Sequence, residues 1–152
     1  MAVALAQPHR RQYGRDEMAA TALGRFCIKS FPKDEGTRRG RYHAGLMYAE
    51  TLDNERVAQG FAPRLFGLSA DGPISNLTFE QLKARKDLAI IKLQNANGVL
   101  RDVSHKAIRI MGQLCYEDRE IGASDEAQAI GALYKLALHF VLEKPGFHEL
   151  CA

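Results

Sequence analysis

Apolar residues recur along this chain at intervals of three and four, the repeat of a helix with one buried face, and no segment shows the strict alternation of a half-buried strand. The C-terminal half shows this best. Thr78 and Gln81 have capping-box spacing, and Phe79, Leu82, Leu88, Ala89, Ile90, Leu93 and Ala96 follow at helical intervals until Asn97-Gly98, which predicts a stop. A second helix is expected from Leu100 to about Arg119 on Val103, Ala107, Ile110, Met111 and Leu114, with Asp102 or Ser104 as its cap. After a break at Gly122, Ser124 or Asp125 starts a third, whose face runs through Ala129, Ile130, Leu133, Leu136, Ala137, Phe140 and Val141 until Pro145-Gly146 closes it.

The N-terminal half leans the same way. Met18, Ala19, Ala22, Leu23 and Phe26 predict a short helix over 16–26, and Tyr42, Leu46, Ala49, Leu52 and Val57 a longer one from about Arg39 to Gln59, ended by Gly60. The following stretch, 60–77, contains Pro63, Gly67 and Asp71-Gly72-Pro73 and is longer than most connections in compact domains, which makes it a hinge, a binding loop or a linker. The expected fold is all-α: a bundle of four to five helices forming one domain over 16–145, with N-terminal helices at 16–59, the long central loop at 60–77 and a three-helix part at 78–145. A basic arm at 1–15 precedes it and a tail at 146–152 follows.

Composition agrees with a single folded domain: 152 residues, 46% hydrophobic and 26% charged, far from the depletion that marks disorder. No stretch approaches the ~20 apolar residues of a membrane helix. The opening apolar run, Ala2 to Ala6, precedes the basic cluster His9-Arg10-Arg11, the reverse of a signal peptide's order. Cys27, Cys115 and Cys151, odd in number and far apart, suit reduced thiols. A cytoplasmic protein without a membrane segment is expected.

Charge changes the picture more than composition does. Residues 1–45 carry nine Lys/Arg against four acids, a balance of +5; residues 79–110 carry seven against three, +4; and the last 42 residues carry three against seven, −4. Arg38, Arg39 and Arg41 fall at the expected start of the longer helix, where the macrodipole disfavours cations. An external phosphate held by backbone N–H groups and guanidinium forks would explain them. Neutralisation by Asp34 and Glu35, or plain solvation, is the alternative. Arg10, Arg11 and Arg15 are candidates for an arm reaching a nucleic-acid backbone, and Lys83, Lys86 and Arg109 for auxiliary phosphate contacts, unless they are ordinary solvated surface. Tyr42, Tyr48, Phe61 and Phe66 flank the basic cluster and the loop as stacking platforms would, or as core.

Other chemistry is poorly represented. A helix-turn-helix around Gly122 would put Asp125 and Glu126 where a recognition helix meets phosphates, so that segment reads as core. His139, His148 and Cys151 do not complete a metal site, and no phosphate loop, dinucleotide turn or hydrolase signature is present. Cys27 near His9 or His43 is a conceivable nucleophile, but beside Phe26 and Ile28 it reads as core. No cofactor, metal or catalytic residue is assigned, and an enzyme is not expected.

Pro8-His9-Arg10-Arg11, Leu23-Gly24-Arg25-Phe26-Cys27, the run Tyr42 to Ala49 and Leu136-Ala137-Leu138-His139-Phe140 give the chain a resemblance to small uncharacterised helical proteins of α-proteobacteria, often from prophage-like regions. The resemblance implies a bacterial or phage setting and a regulator or DNA-associated accessory protein, and brings no site residues with it. Two functions are therefore expected: a nucleic-acid-associated protein, such as a phage-type transcriptional regulator binding phosphates through its basic N-terminal third, or a protein-interaction or self-assembly module in which the oppositely charged ends pair.

Overall fold

The computed structural model describes residues 17–64 and 77–141, and these are helical as expected, in an all-α bundle of five helices. The arm, the loop residues 65–76, Pro145-Gly146 and the tail lie outside the described residues. A single turn of 3-10 helix, Glu17–Ala20, leads into α1, Ala22–Ser30. Next come α2, Glu35–Ala58, and α3, Phe79–Val103. The short α4, Ala107–Met111, runs on through a π-helical turn at Gly112–Tyr116, and a 3-10 turn at Ala123–Asp125 precedes α5, Glu126–His139.

Helix boundaries depart from expectation where side chains supply or withhold a terminus. The helix expected over 16–26 is divided, because the Thr21 hydroxyl accepts from Gly24 N at 3.0 Å and restarts the chain as α1. The approach is so close that a Cβ on Gly24 would lie 1.7 Å from the Met18 carbonyl oxygen. α2 begins at Glu35, not Arg39, since Asp34 is its cap and accepts from Thr37 N at 3.2 Å. The two Thr37 hydrogen bonds hold the Asp34 carboxyl below the usual carboxylate range.

Asn97-Gly98 does not end α3. Tyr48 donates to Asn97 Oδ1 at 2.8 Å, so tertiary structure fixes the stretch in the helix and outweighs the ~1 kcal/mol cost of an internal glycine. Leu100 and Val103 thus belong to α3, and the next helix starts only at Ala107. α5 stops at His139, short of Pro145, with Val141 turned into the left-handed region at φ 59°.

α2, α3 and α5 each pack on the other two, with α1 laid across α2 and the π-helical turn. Tyr48 meets Asn97 while Val57 and Ala58 lie beside Leu82 and Lys83, so α2 and α3 run antiparallel. The core is built from Leu23, Tyr48, Leu100, Ile110, Met111, Leu114, Leu133 and Leu136, with Ala44, Ala96, Ala129, Ala132 and Ala137 where the helices come together. The segment from Asp125 onward is core-forming, as expected.

The acidic 117–126 stretch is bound to the N-terminal helix of its own chain. Asp118 Oδ1 accepts the Ala22 N–H at 2.7 Å, capping α1 from 96 residues away. Arg25 pairs with Glu120 at 2.9 Å and Lys29 with Glu126 at 2.8 Å. The sequence's opposed charges therefore meet within one molecule.

Candidate functional site

The three arginines expected to clamp phosphate are engaged with the protein. Arg41 is only 4% exposed, its guanidinium lying 5.1 Å from the Phe31 ring centroid and 5.0 Å from that of Tyr134. This corrects its assignment as a clamp: it is a core cation stacked between α1's end and α5. Arg38 donates to the Phe31 and Pro32 carbonyls at 3.3 and 3.4 Å, tying down the α1–α2 turn. Arg39 is exposed but pairs one turn back with Glu35 at 2.9 Å. The α2 N-terminus is already occupied by the Asp34 carboxylate, so the alternative stated above, neutralisation by Asp34 and Glu35, describes this end of the helix.

Nor do the predicted residues form one patch. Lys83 and Lys86 project from the start of α3 beside Ala58, whereas Arg39 sits 19 residues earlier on α2, about 28 Å away along the helix axis. Arg109 is elsewhere again, 3.5 Å from Asp125. Arg10, Arg11 and Arg15 lie outside the described residues. Tyr48 is core, Tyr42 is half-buried and Phe66 is outside the described residues.

The bundle instead opens where α2 and α3 separate. One cleft of about 710 Å³ has Met47, Thr51 and Asn54 on the α2 side and Ala84, Leu88 and Lys92 on the α3 side, and ends against His139 and Phe140 of α5. A second hollow, about 600 Å³, lies at the other edge of α3 between Val57, Phe61, Pro63 and Phe79, Leu82, Lys83. Large apolar side chains stand in solvent here: Phe79, 82% exposed, and Phe61, 55%, in the second hollow, Leu88, 50%, in the cleft, and Ile91, 51%, one turn beyond Leu88 on α3. Clustered apolar exposure of this kind is characteristic of surfaces that meet another molecule. The charged side chains of the cleft are Glu50, Arg85 and Lys92, and those of the second hollow Lys83, Arg85 and Lys86; Lys83, Lys86 and Lys92 are exposed and make no ion pair among the described residues.

A buried carboxylate fixes one wall of the hollow. Asp53, 3% exposed, accepts from Tyr116 Oη at 2.8 Å and from Arg64 N at 3.0 Å, so the chain leaving α2 folds back onto the π-helical turn. Arg64 covers Tyr116 at 5.1 Å, and Arg56 stands 5.2 Å from Phe61 and 5.8 Å from Tyr116. Burial and the Asp53 carboxylate push the Tyr116 hydroxyl above its ordinary value.

Sequence spacing had assigned Phe79 and Leu88 to a core face. The signal against this was the breadth of the apolar pattern: Phe79, Leu82, Leu88, Ile90 and Ile91 surround the first half of α3, wider than the stripe a single core needs. Cys27 is fully buried and its thiol is pushed up to about 12, the reverse of an activated nucleophile. Among the described residues no group of three or more His, Cys, Asp or Glu is placed to hold a metal ion, and no helix is long and apolar enough to cross a membrane. Comparison with known proteins adds no relative: no family model, no curated protein and no solved structure matches the chain.

Proposed function

We propose that this chain is a protein-docking module, and that the cleft between α2 and α3 with the neighbouring apolar ridge of α3 is its docking surface. One observation carries the reading: Leu88 in the cleft and Phe79 and Phe61 in the second hollow stand in solvent, with Ile91 exposed one turn on from Leu88. The cleft mixes apolar side chains, Met47, Leu88 and Phe140 among them, with scattered polar ones such as Thr51, Asn54 and Lys92, the make-up of a recognition surface. We place the protein in the cytoplasm, in keeping with the unpaired thiols of Cys27 and Cys115. A photo-crosslinking amino acid at Leu88 or Ile91, expressed in cells, gives a discrete cross-linked protein species, and the same group at exposed Lys135 on α5 does not. Equal products from both faces, or none from the cleft, would refute the reading.

A narrower form of the nucleic-acid reading has one observation in its favour. Glu17 and Met18, which the basic segment 10–15 immediately precedes, line a hollow together with Arg38 and Arg39. Arg10, Arg11 and Arg15 would supply backbone contacts at that end, as in a phage-type transcriptional regulator, without Arg41, Lys83, Lys86 or Arg109. A mobility shift on duplex DNA at low salt, weakened by replacing Arg10, Arg11 and Arg15 with Ala, tests it; no shift at low salt removes it.

A further inference from the structure

We propose that residues 142–152 of this chain occupy the α2–α3 cleft, an autoinhibitory contact that a docking partner must displace; the displacement rests on the docking reading, the occupancy does not. The third helix of the bundle runs out where the cleft begins. α5 has 14 residues, about 21 Å, whereas α2 and α3 have 24 and 25, about 36 Å. Its first turn is held by the Ser104 hydroxyl, which donates to Gln128 at the end of α3. It then passes Arg41 of α2 at Tyr134 and stops with His139 and Phe140 in the cleft that Met47 also lines. α5 thus runs along α2 and against α3, and, counted back from Ser104, its end falls level with Leu93. From Leu93 back to Phe79, about 21 Å, α3 is paired with α2 and has no third helix over this face among the described residues, which is why Leu88 stands in solvent.

The chain leaving α5 starts at the edge of that space. Val141 N donates to the Leu138 carbonyl at 3.1 Å and Val141 takes φ 59°, the left-handed helix ending in which the next residue folds back onto the last turn. That residue is Leu142, and Ala137, which it meets in such an ending, is fully buried in the core. The segment brings Leu142, Phe147 and Leu150, three large apolar side chains, to a cleft of about 710 Å³. Extended, 142–152 reaches about 36 Å, more than the uncovered length of α3. Pro145-Gly146 rules out a helix through its middle, so it lies as an extended strap, one side open to water and its backbone within reach of the amides of Asn54 and Asn95 on the two walls. Lys92, exposed and without an ion pair among the described residues, answers Glu143 or Glu149. Tethering decides between occupants. A segment joined to the edge of the cleft is present at an effective concentration of about 1 mM, which a second copy at micromolar concentration does not match, even with Glu80 and Asp87 exposed on α3. The 65–76 stretch is tethered too, but it follows Pro63 and Arg64, on the side of α3 where Pro63 lines the second hollow.

The test uses the purified full chain with a benzophenone amino acid in place of Leu88, of Ala84 or, as control, of Lys135 on the outer face of α5. These positions are exposed, so circular dichroism of the three chains should match the parent. Each is irradiated at micromolar concentration as an equal mixture of unlabelled and heavy-isotope chains, and the products are mapped by peptide mass spectrometry. The expected result is links within one chain from Leu88 and Ala84 to 142–152, about fivefold or more above those from Lys135, although Lys135 is nearer the segment along the chain. Phe147→Ser with Leu150→Ser should cut the cleft links about fivefold. Links of mixed isotope assign the cleft to a second copy, and links to 65–76 assign it to that stretch; either overturns the inference. Equal yields from Lys135, or no link to 142–152 from either cleft position, overturn it as well. In each of these cases a protein cross-link from Leu88 or Ile91 in cells leaves the docking reading standing. Links to 142–152 in the pure chain with no partner species in cells support the occupancy and remove the docking reading.

Discussion

Asp53 and Tyr116 join α2 to the π-helical turn through one hydrogen bond between a buried carboxylate and a phenol, and a double-mutant cycle measures it. A hydrogen bond to a charged group contributes about 1.5–3 kcal/mol. Tyr116 is half-buried, so water replaces part of what is lost, and Tyr116→Phe should cost about 1.5 kcal/mol. Asp53→Ala removes the bond to Tyr116 and the one to Arg64 N, and should cost about 3 kcal/mol. Because both variants break the same bond, the double variant should cost about 3 kcal/mol too, leaving a coupling of about 1.5 kcal/mol. Urea unfolding followed by circular dichroism reads this as a midpoint shift of roughly 1–2 M for Asp53→Ala, at a slope of about 1.5–3 kcal/mol/M. Strict additivity, or an Asp53→Ala cost under about 0.5 kcal/mol, would show that the carboxylate does not hold the wall beside Phe61.

Three further outcomes follow from packing and protonation. Gly24→Ala places a Cβ 1.7 Å from the Met18 carbonyl oxygen, which belongs to backbone, so stability should fall by about 3 kcal/mol or the 3-10 turn should detach; unchanged stability contradicts the close approach. Asp118→Ala should lose about 1–2 kcal/mol of α1 capping and Asp118→Asn much less, since Asn still accepts the Ala22 N–H and tolerates the φ of 53°; equal losses would argue against a cap. Stability should also fall at alkaline pH. An unfolded thiol ionises near pH 8.5, whereas burial keeps Cys27 protonated to about 12 and also raises Cys115, so above pH 9 the unfolded chain binds fewer protons and is favoured. The loss is at most about 1.4 kcal/mol per pH unit for each thiol, and urea midpoints that stay level from pH 8 to 10.5 would refute it.

The class of fold was legible because helical spacing survives in every segment, and the Thr78 to Gln81 capping box is present as read, both halves of it. The boundaries that failed are those decided by distant partners. Asn97-Gly98 looks like a stop until Tyr48, 49 residues earlier, is seen bonded to Asn97. Arg41 looks like a surface cation until Phe31 and Tyr134 are brought to its two sides. The charge division between the chain's ends was legible, but its meaning was not. Whether Arg25 and Lys29 face solvent, a second copy or Glu120 and Glu126 is a property of the packing. The candidate surface was half visible, since Phe61 reads as a stacking platform or as core beside the loop, while Phe79 and Leu88 pass for core because spacing alone does not say how much of a broad apolar pattern a small bundle can bury.

The most direct measurement of the central claim is an amide nitrogen–proton NMR titration of the full chain with an amphipathic helical peptide carrying Leu anchors. The predicted result is a set of shifts concentrated at Met47, Thr51, Ala84, Leu88 and Lys92, with the α1 pairs at Arg25 and Lys29 and the α2 start at Arg38 and Arg39 unmoved. Shifts concentrated at 38–43 or spread evenly over the surface would contradict it.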